Sequence, residues 1–193
     1  MAVVGVHDTS ERADSRRNRE AVLEAAIRLL AERPGASMRE VAEASGLGRT
    51  TVYRHFPQRE DLVQGLFHRV VEESRATSAR LVGEGVDAAE LLRRLGRECV
   101  AIGDRFRFLQ THRGMRNDTL EQSQDTAGDP LYEFFEAARS RGELYPGTST
   151  EWILVMLRAT IVAAVDEVFA GRMEIEEAGE LVGQTLVRAI VAD

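Results

Sequence analysis

Between Gly48 and Phe56 the chain reads GRTTVYRHF, which sets two arginines, a histidine, a tyrosine and two threonines within nine residues. These side chains offer positive charge, hydrogen-bond donors and methyl groups. Arginine pairs bidentately with O6 and N7 of guanine, and a threonine methyl packs on the thymine methyl. Tyrosine, threonine and histidine hydrogen-bond phosphate oxygens, which fixes register without reading sequence. Noncovalent recognition of double-stranded DNA is the chemistry this stretch is suited to. The bland alternative is a set of small packed helices whose arginines form a solvated face.

Other chemistries find no support in the pattern. His7, His55, His68 and His112 share no metal-ligand spacing with one another or with Cys99, the single cysteine. There is no Gly-rich phosphate loop, nucleophile elbow or paired-carboxylate signature. No catalytic residue, metal or cofactor is therefore assigned, and the chain is not expected to be an enzyme. One cysteine permits no internal disulfide, which suits a reducing, cytoplasmic setting. The N-terminal residues lack the apolar run of a signal peptide. The longest apolar stretch, Trp152 to Val165, is interrupted by Arg158 and is shorter than the ~20 residues that span a bilayer.

Charge is distributed unevenly along the 193 residues, whose formal total is -7. Through Arg59 there are ten arginines against eight carboxylates, a local +2; beyond it, fifteen against twenty-four give -9. A phosphate senses the field within about 10 Å at ordinary salt. An acidic total thus leaves room for one directed basic face.

The flanking sequence supplies a scaffold for that face. Residues 1–14 lack periodicity and are expected to form a flexible tail. From Ser15 onward, Ala21, Val22, Ala25, Ile27, Leu29 and Leu30 mark the apolar side of a first helix, closed by Arg33-Pro34-Gly35. A second short helix begins near Ser37, a capping residue, and buries Val41 and Ala42. Ala42 lets two helices cross closely, and Gly46 supplies a left-handed turn without a Cβ penalty. Val52 and Phe56, four apart, fold a third helix back on the first two. The pattern is a helix-turn-helix, whose second helix enters the major groove.

With Val52 and Phe56 buried, Arg49, Thr50, Thr51, Tyr53, Arg54 and His55 are left on outward or flanking faces. Base reading is expected of Arg49 and Thr50, with Arg54 a further candidate. After Pro57, Gln58 to Val82 reads as a long fourth helix. Arg59 and the free amides at its start are placed to grip a phosphate, and Ser37 and Arg39 can do so from the second helix.

Met38 to Val63, MREVAEASGLGRTTVYRHFPQREDLV, resembles the DNA-binding signature of tetracycline-repressor (TetR) family transcription regulators, with the likeness running from about Arg16 to Val71. The resemblance implies that Tyr53, His55 and Arg59 anchor phosphates. It implies groove-facing roles for Arg49, Thr50 and Arg54, with Ser37 and Arg39 contributing from the second helix. Gly48 stands where the family often has a capping serine, a change that costs only about a few tenths of a kcal/mol.

Beyond a glycine-rich break at residues 83–85 the chain also reads as helical. Asp87 to Gln110 forms one helix, broken near Gly103. Gly114 to Asp129 is expected to be a long loop. Helices follow from Pro130, from a Ser or Thr cap before Trp152, and from Glu174 to the end. The fold class is all-α, with a helix-turn-helix domain over residues 15–60 and a larger helical domain over 61–193. The family resemblance gives that larger domain effector binding and homodimerisation, its last two helices forming an intersubunit bundle.

Ile161 and Val165, with Gly179, Val182, Gly183, Leu186 and Ile190, are the candidate dimer interface; ordinary packing within the chain is the alternative for the glycines. Phe106, Phe108, His112, Met115, Tyr132, Phe135, Trp152, Met156 and Arg158 are the candidates for a small-molecule effector site, with plain core as the alternative. Arg158, inside an apolar helix, must reach solvent, pair with a carboxylate such as Glu151 or Asp166, or meet an anionic ligand. The expected protein is a repressor released from a palindromic operator by a small molecule. A regulator without an effector and a helical protein-interaction adaptor are the alternatives.

Overall fold

The computed structural model describes residues 6–112 and 129–192, with side chains from residue 12 onward except at 111. In chain order the helices are α1 (Val6–Glu32), α2 (Met38–Ser45), α3 (Arg49–His55), α4 (Arg59–Gly83), α5 (Ala88–Arg105), α6 (Pro130–Ser140), α7 (Thr150–Phe169) and α8 (Ile175–Ile190). A 3-10 segment, Arg107–His112, follows α5. The fold is all-α as expected: among the described residues the extended pairing is an isolated bridge between Leu144 and Val191. The chain divides into two compact units inside α4, after Phe67.

Local chemistry sets the helix ends. Ser37 caps α2 in a reciprocal box: its Oγ accepts from the Glu40 amide at 3.3 Å, and Glu40 Oε2 accepts from the Ser37 amide at 2.8 Å. Gly46 closes α2 at φ 69°, the left-handed conformation that the turn requires. Asp87 and Ser149 cap α5 and α7, and Pro130 occupies the first turn of α6.

One expected boundary needs correction. The helix α1 begins at Val6, well before Ser15, so the segment assigned to a tail is helical from that point. Its first turns carry no apolar stripe, and a periodicity reading cannot detect a polar extension of a helix that is nucleated further along. The break expected near Gly103 falls at Phe106, between the end of α5 at Arg105 and the 3-10 segment, and Gly103 itself stays helical. It is there because Val165 of α7 occupies the space its Cβ would take. The loop expected from Gly114 to Asp129 lies outside the described residues up to 128.

In the first unit, Val22, Leu23, Ala26 and Leu30 of α1 are buried, as are Val41 and Ala42 of α2, Val52 of α3, and Leu62 and Leu66 of α4. In the second, Leu91, Leu92 and Leu95 of α5, Phe135 of α6, Ile153 and Leu157 of α7 and Val182, Leu186 and Ile190 of α8 share one core. The backbones of α5 and α8 nearly touch. A Cβ at Gly96 would lie 2.6 Å from the Gly179 carbonyl oxygen, and one at Gly183 would lie 2.7 Å from the Arg93 Cα.

That contact takes most of the residues expected at a dimer interface into the chain's own core. Gly179 and Gly183 face α5 of their own chain, and Val165, Val182, Leu186 and Ile190 are buried in the core beside them. Ile161 is half-buried against the same core. The intramolecular alternative is the one realised, because glycines four apart permit close approach without specifying which helix approaches.

Alanine favours a helix over glycine by about 1 kcal/mol, yet Gly96→Ala is expected to destabilise. The atoms its Cβ meets are backbone and cannot rotate aside, and overpacking costs ~1–3 kcal/mol or more. Thermal denaturation should show a melting temperature several degrees lower, at roughly 2–4 °C per kcal/mol for a chain of this size. A melting temperature equal to the wild type's or higher would mean that the helices are not held this close.

Candidate nucleic-acid interface

Seven residues make α3, far too few to be stable alone, so packing must hold it. Val52 is fully buried and Phe56, the residue just past the helix, is 1% exposed. The Phe56 ring lies beneath Gly65 of α4, where a Cβ would come within 3.0 Å of the ring's Cε1. From α1, the Arg19 guanidinium covers the ring at 5.0 Å from its centroid, a cation–π contact. Sequence reasoning singled out neither Gly65 nor Arg19. The available signal was a glycine inside an otherwise helical pattern, which often marks a close approach.

At 100° per residue, Thr50 and Arg54 stand opposite Val52 on α3. Both are exposed, as are Arg49 and Tyr53, the latter at 43%, while Thr51 is half-buried. Ser37 and Arg39 are exposed at the start of α2. Arg39 and Arg54 have no ion pair among the described residues, so their charge is available to a partner.

Two neighbouring arginines are engaged. Arg49 Nη2 donates to Glu43 Oε1 at 3.3 Å, and Arg33 donates to Glu40 at 2.8 Å. The Ser37 amide and hydroxyl, followed by Arg33, hold the Glu40 carboxyl below its ordinary range.

Arg59 departs from its expected place at a phosphate. Its guanidinium turns inward and donates to the carbonyls of Pro34 and Ala36, at 3.0 and 2.5 Å, bracing the α1–α2 turn against the start of α4. The Gln58 amide is likewise taken, by the Asp61 carboxylate at 2.8 Å. His55 is half-buried. Its Nε2 is buried and has no hydrogen-bond partner among the described residues. Burial, then the charges of Arg54 and Arg19, push its pKa below the ordinary histidine value.

The effector candidates are dispersed in character. Phe106 and Phe108 are buried with ring centroids 6.2 Å apart, and Phe135 is core. Tyr132 donates its hydroxyl to Glu151 at 3.0 Å. His112, Met156 and Arg158 are half-buried, and Arg158 has no ion pair among the described residues. Met115 lies outside them. Trp152 is 57% exposed on the outer side of α7, which removes it from any internal lining.

That outer side is apolar. Trp152, Val155, Ala159 and Phe169 are exposed and, with the half-buried Val162 and Asp166, recur at steps of three and four; Leu181 of α8 is also exposed. Burial pushes the Cys99 thiol up to about 12, so it is not a thiolate at neutral pH. Among the described residues no group of three or more ligands could hold a metal ion. None of their helices is long and apolar enough to cross a membrane.

Comparison with known proteins agrees with this geometry. Residues 22–66 match the family model for bacterial regulatory proteins of the tetR family. The HTH-type transcriptional repressor LfrR of Mycolicibacterium smegmatis is 32% identical over 154 residues, which cover 78% of this chain and 80% of that repressor. Its crystal structure in complex with proflavine superposes with a TM-score of 0.64 at 24% identity, over 92% of this chain and 99% of the other. A TetR family transcription regulator from Marinobacter aquaeolei gives the same score at 23% identity, over 95% of this chain and all of its own.

Partial burial of His55 is expected to make stability depend on pH. Its folded pKa is depressed, so below the ordinary value of 6.5 the unfolded chain binds the proton more readily than the folded one. Stability from this source is present above that value and is lost as pH falls through it. Melting temperatures followed from about pH 7.5 down to about pH 5.5 should fall more steeply for the wild type than for His55→Gln. Parallel curves would rule His55 out as the cause.

Proposed function

The chain belongs to the tetR family of bacterial regulatory proteins, and on that premise we propose that it is a homodimeric repressor released from its operator by a small molecule. The observation that carries the DNA-binding part is the outward face of α3. Thr50 and Arg54 stand opposite the buried Val52, with Tyr53 beside them and Arg39, which has no ion pair among the described residues, at the start of α2. Thr50, Arg54 and, at the first turn, Arg49 contact base edges; Arg39, Tyr53, Ser37 and Thr51 hold phosphates. Arg59 acts at one remove, by keeping α2 and α4 in place.

Residues 15–60 are the DNA-binding part in this reading, and 61–193 bind effector and partner. Two copies are required because one short recognition helix makes few contacts. A dimer reads half-sites separated by about one helical turn, ~34 Å, or a multiple of it. The partner surface is the outer stripe of α7, Trp152, Val155 and Phe169, together with Leu181 of α8, an exposed apolar set of the kind that marks interfaces. Support for an effector comes from LfrR, which was solved with proflavine. Arg158, Met156 and Phe108 are the side chains offered to it. Differential binding to two states, worth ~1–3 kcal/mol, is enough to change operator affinity appreciably. The helix α4, which contributes to both units, is the element that transmits it.

Selection from random duplex DNA, followed by affinity measured against salt, tests the reading; failure to enrich any sequence would refute it. Arg39→Ala should flatten the slope of log affinity against log salt by ~0.9, the loss of one phosphate contact. Arg59→Ala should weaken binding and lower the melting temperature while leaving that slope unchanged. For assembly, Trp152→Glu combined with Phe169→Glu should convert dimers to monomers in sedimentation. A wild type of monomer mass at every concentration would contradict the proposed interface.

A further inference from the structure

Glu43 is a carboxylate on a surface that meets phosphates. It leaves the last turn of α2, where the helix macrodipole disfavours negative charge. Its partner is not Arg39, four residues earlier on the same helix. Instead Oε1 reaches across the turn to Nη2 of Arg49, the first residue of α3, at 3.3 Å. The two side chains are 62% and 56% exposed, Arg49 first, and an exposed pair of this kind contributes little to folding. Glutamate is a good helix former, but neither the macrodipole nor the exposed pair gives a negative charge at this position a marked stabilising role.

We propose that Glu43 is a specificity-determining residue: it positions the Arg49 guanidinium for a guanine edge and prevents that arginine from serving as a phosphate clamp. The inference rests on the reading of α3 as the DNA-reading helix. Residues at the start of a recognition helix contact base edges, and Arg49 is the first of them. Arginine carries five N–H donors in a fixed fork, so one bond to Glu43 leaves enough for O6 and N7 of guanine. Tethering the guanidinium also reduces the rotamer freedom that contact would otherwise remove. The carboxylate repels phosphate oxygens, which penalises nonspecific sites. In the major groove it is suited to accept from N4 of a cytosine, so a step that offers a guanine and a neighbouring cytosine satisfies both residues. Specificity is a difference of affinities, and penalising the wrong sites enlarges it.

The test uses the full-length protein as wild type, Glu43→Gln, Arg49→Ala and the double variant. Each is measured on the selected operator, on its single-base variants and on random duplex. Glu43→Gln should keep the wild-type melting temperature and bind random duplex ~3–10-fold more tightly. It should discriminate one guanine position at least ~5-fold less well. The double variant should lose no more discrimination there than Arg49→Ala alone, as expected of residues acting as a unit. An unchanged base-preference profile for Glu43→Gln, or a gain that is equal on operator and random duplex, overturns the proposal while leaving the DNA-binding reading intact. A wild type that selects no sequence removes both.

Discussion

One buried ring aims everything that α3 presents. Phe56 lies just past the end of the helix, with its amide donating to the Val52 carbonyl at 2.9 Å. Arg19 of α1 covers the ring and Gly65 of α4 makes room for it. Burying such a side chain contributes roughly 1.5–3 kcal/mol, a large share of what a seven-residue helix needs. Its geometric effect matters more. Together with Val52 it fixes the rotation of α3 about its own axis, and each residue of rotation turns the outward face by 100°. The exposure of Thr50 and Arg54, rather than Thr51 and His55, follows from that anchoring.

The arginines of the first unit divide by the same geometry. Arg59 braces the α1–α2 turn through two carbonyls, Arg19 stacks on Phe56, and Arg33 holds the capping carboxylate Glu40. These cations organise the protein itself. Arg39 and Arg54 have no ion pair among the described residues and remain free for an outside anion, while Arg49 is shared with Glu43. A local surplus of positive charge therefore says little by its magnitude. What decides recognition is which guanidiniums the fold leaves unspent.

In the second unit a comparable constraint acts through backbone rather than a ring. Glycines 96, 179 and 183 let α5 and α8 approach until added Cβ atoms would meet main chain. That contact commits one face of α8 to the core and takes Val182, Leu186 and Ile190 inside. The apolar residues left over, Trp152, Val155, Phe169 and Leu181, cannot join the same core and remain on the surface.

Much of the architecture was legible from residue types and spacing alone. The helical periods, the Ser37 cap, the Gly46 turn and the burial of Val52 and Phe56 are local properties, set by neighbours within a few residues. So was the exposure of Arg49, Thr50, Tyr53 and Arg54, since Val52 within α3 and Phe56 just past it anchor the opposite side. Local patterns could not say where a long side chain goes. Whether the Arg59 guanidinium reaches outward or back to Pro34, and whether His55 exposes or buries its ring, depends on what the fold brings opposite. Nor could they sort the apolar helix α7, whose sides look alike in sequence, into core and surface. The sequence by itself determined the helices, their caps and the set of polar groups available at α3. Tertiary structure alone decided which of those groups are free, because contacts between residues distant in the chain leave no periodic trace in it.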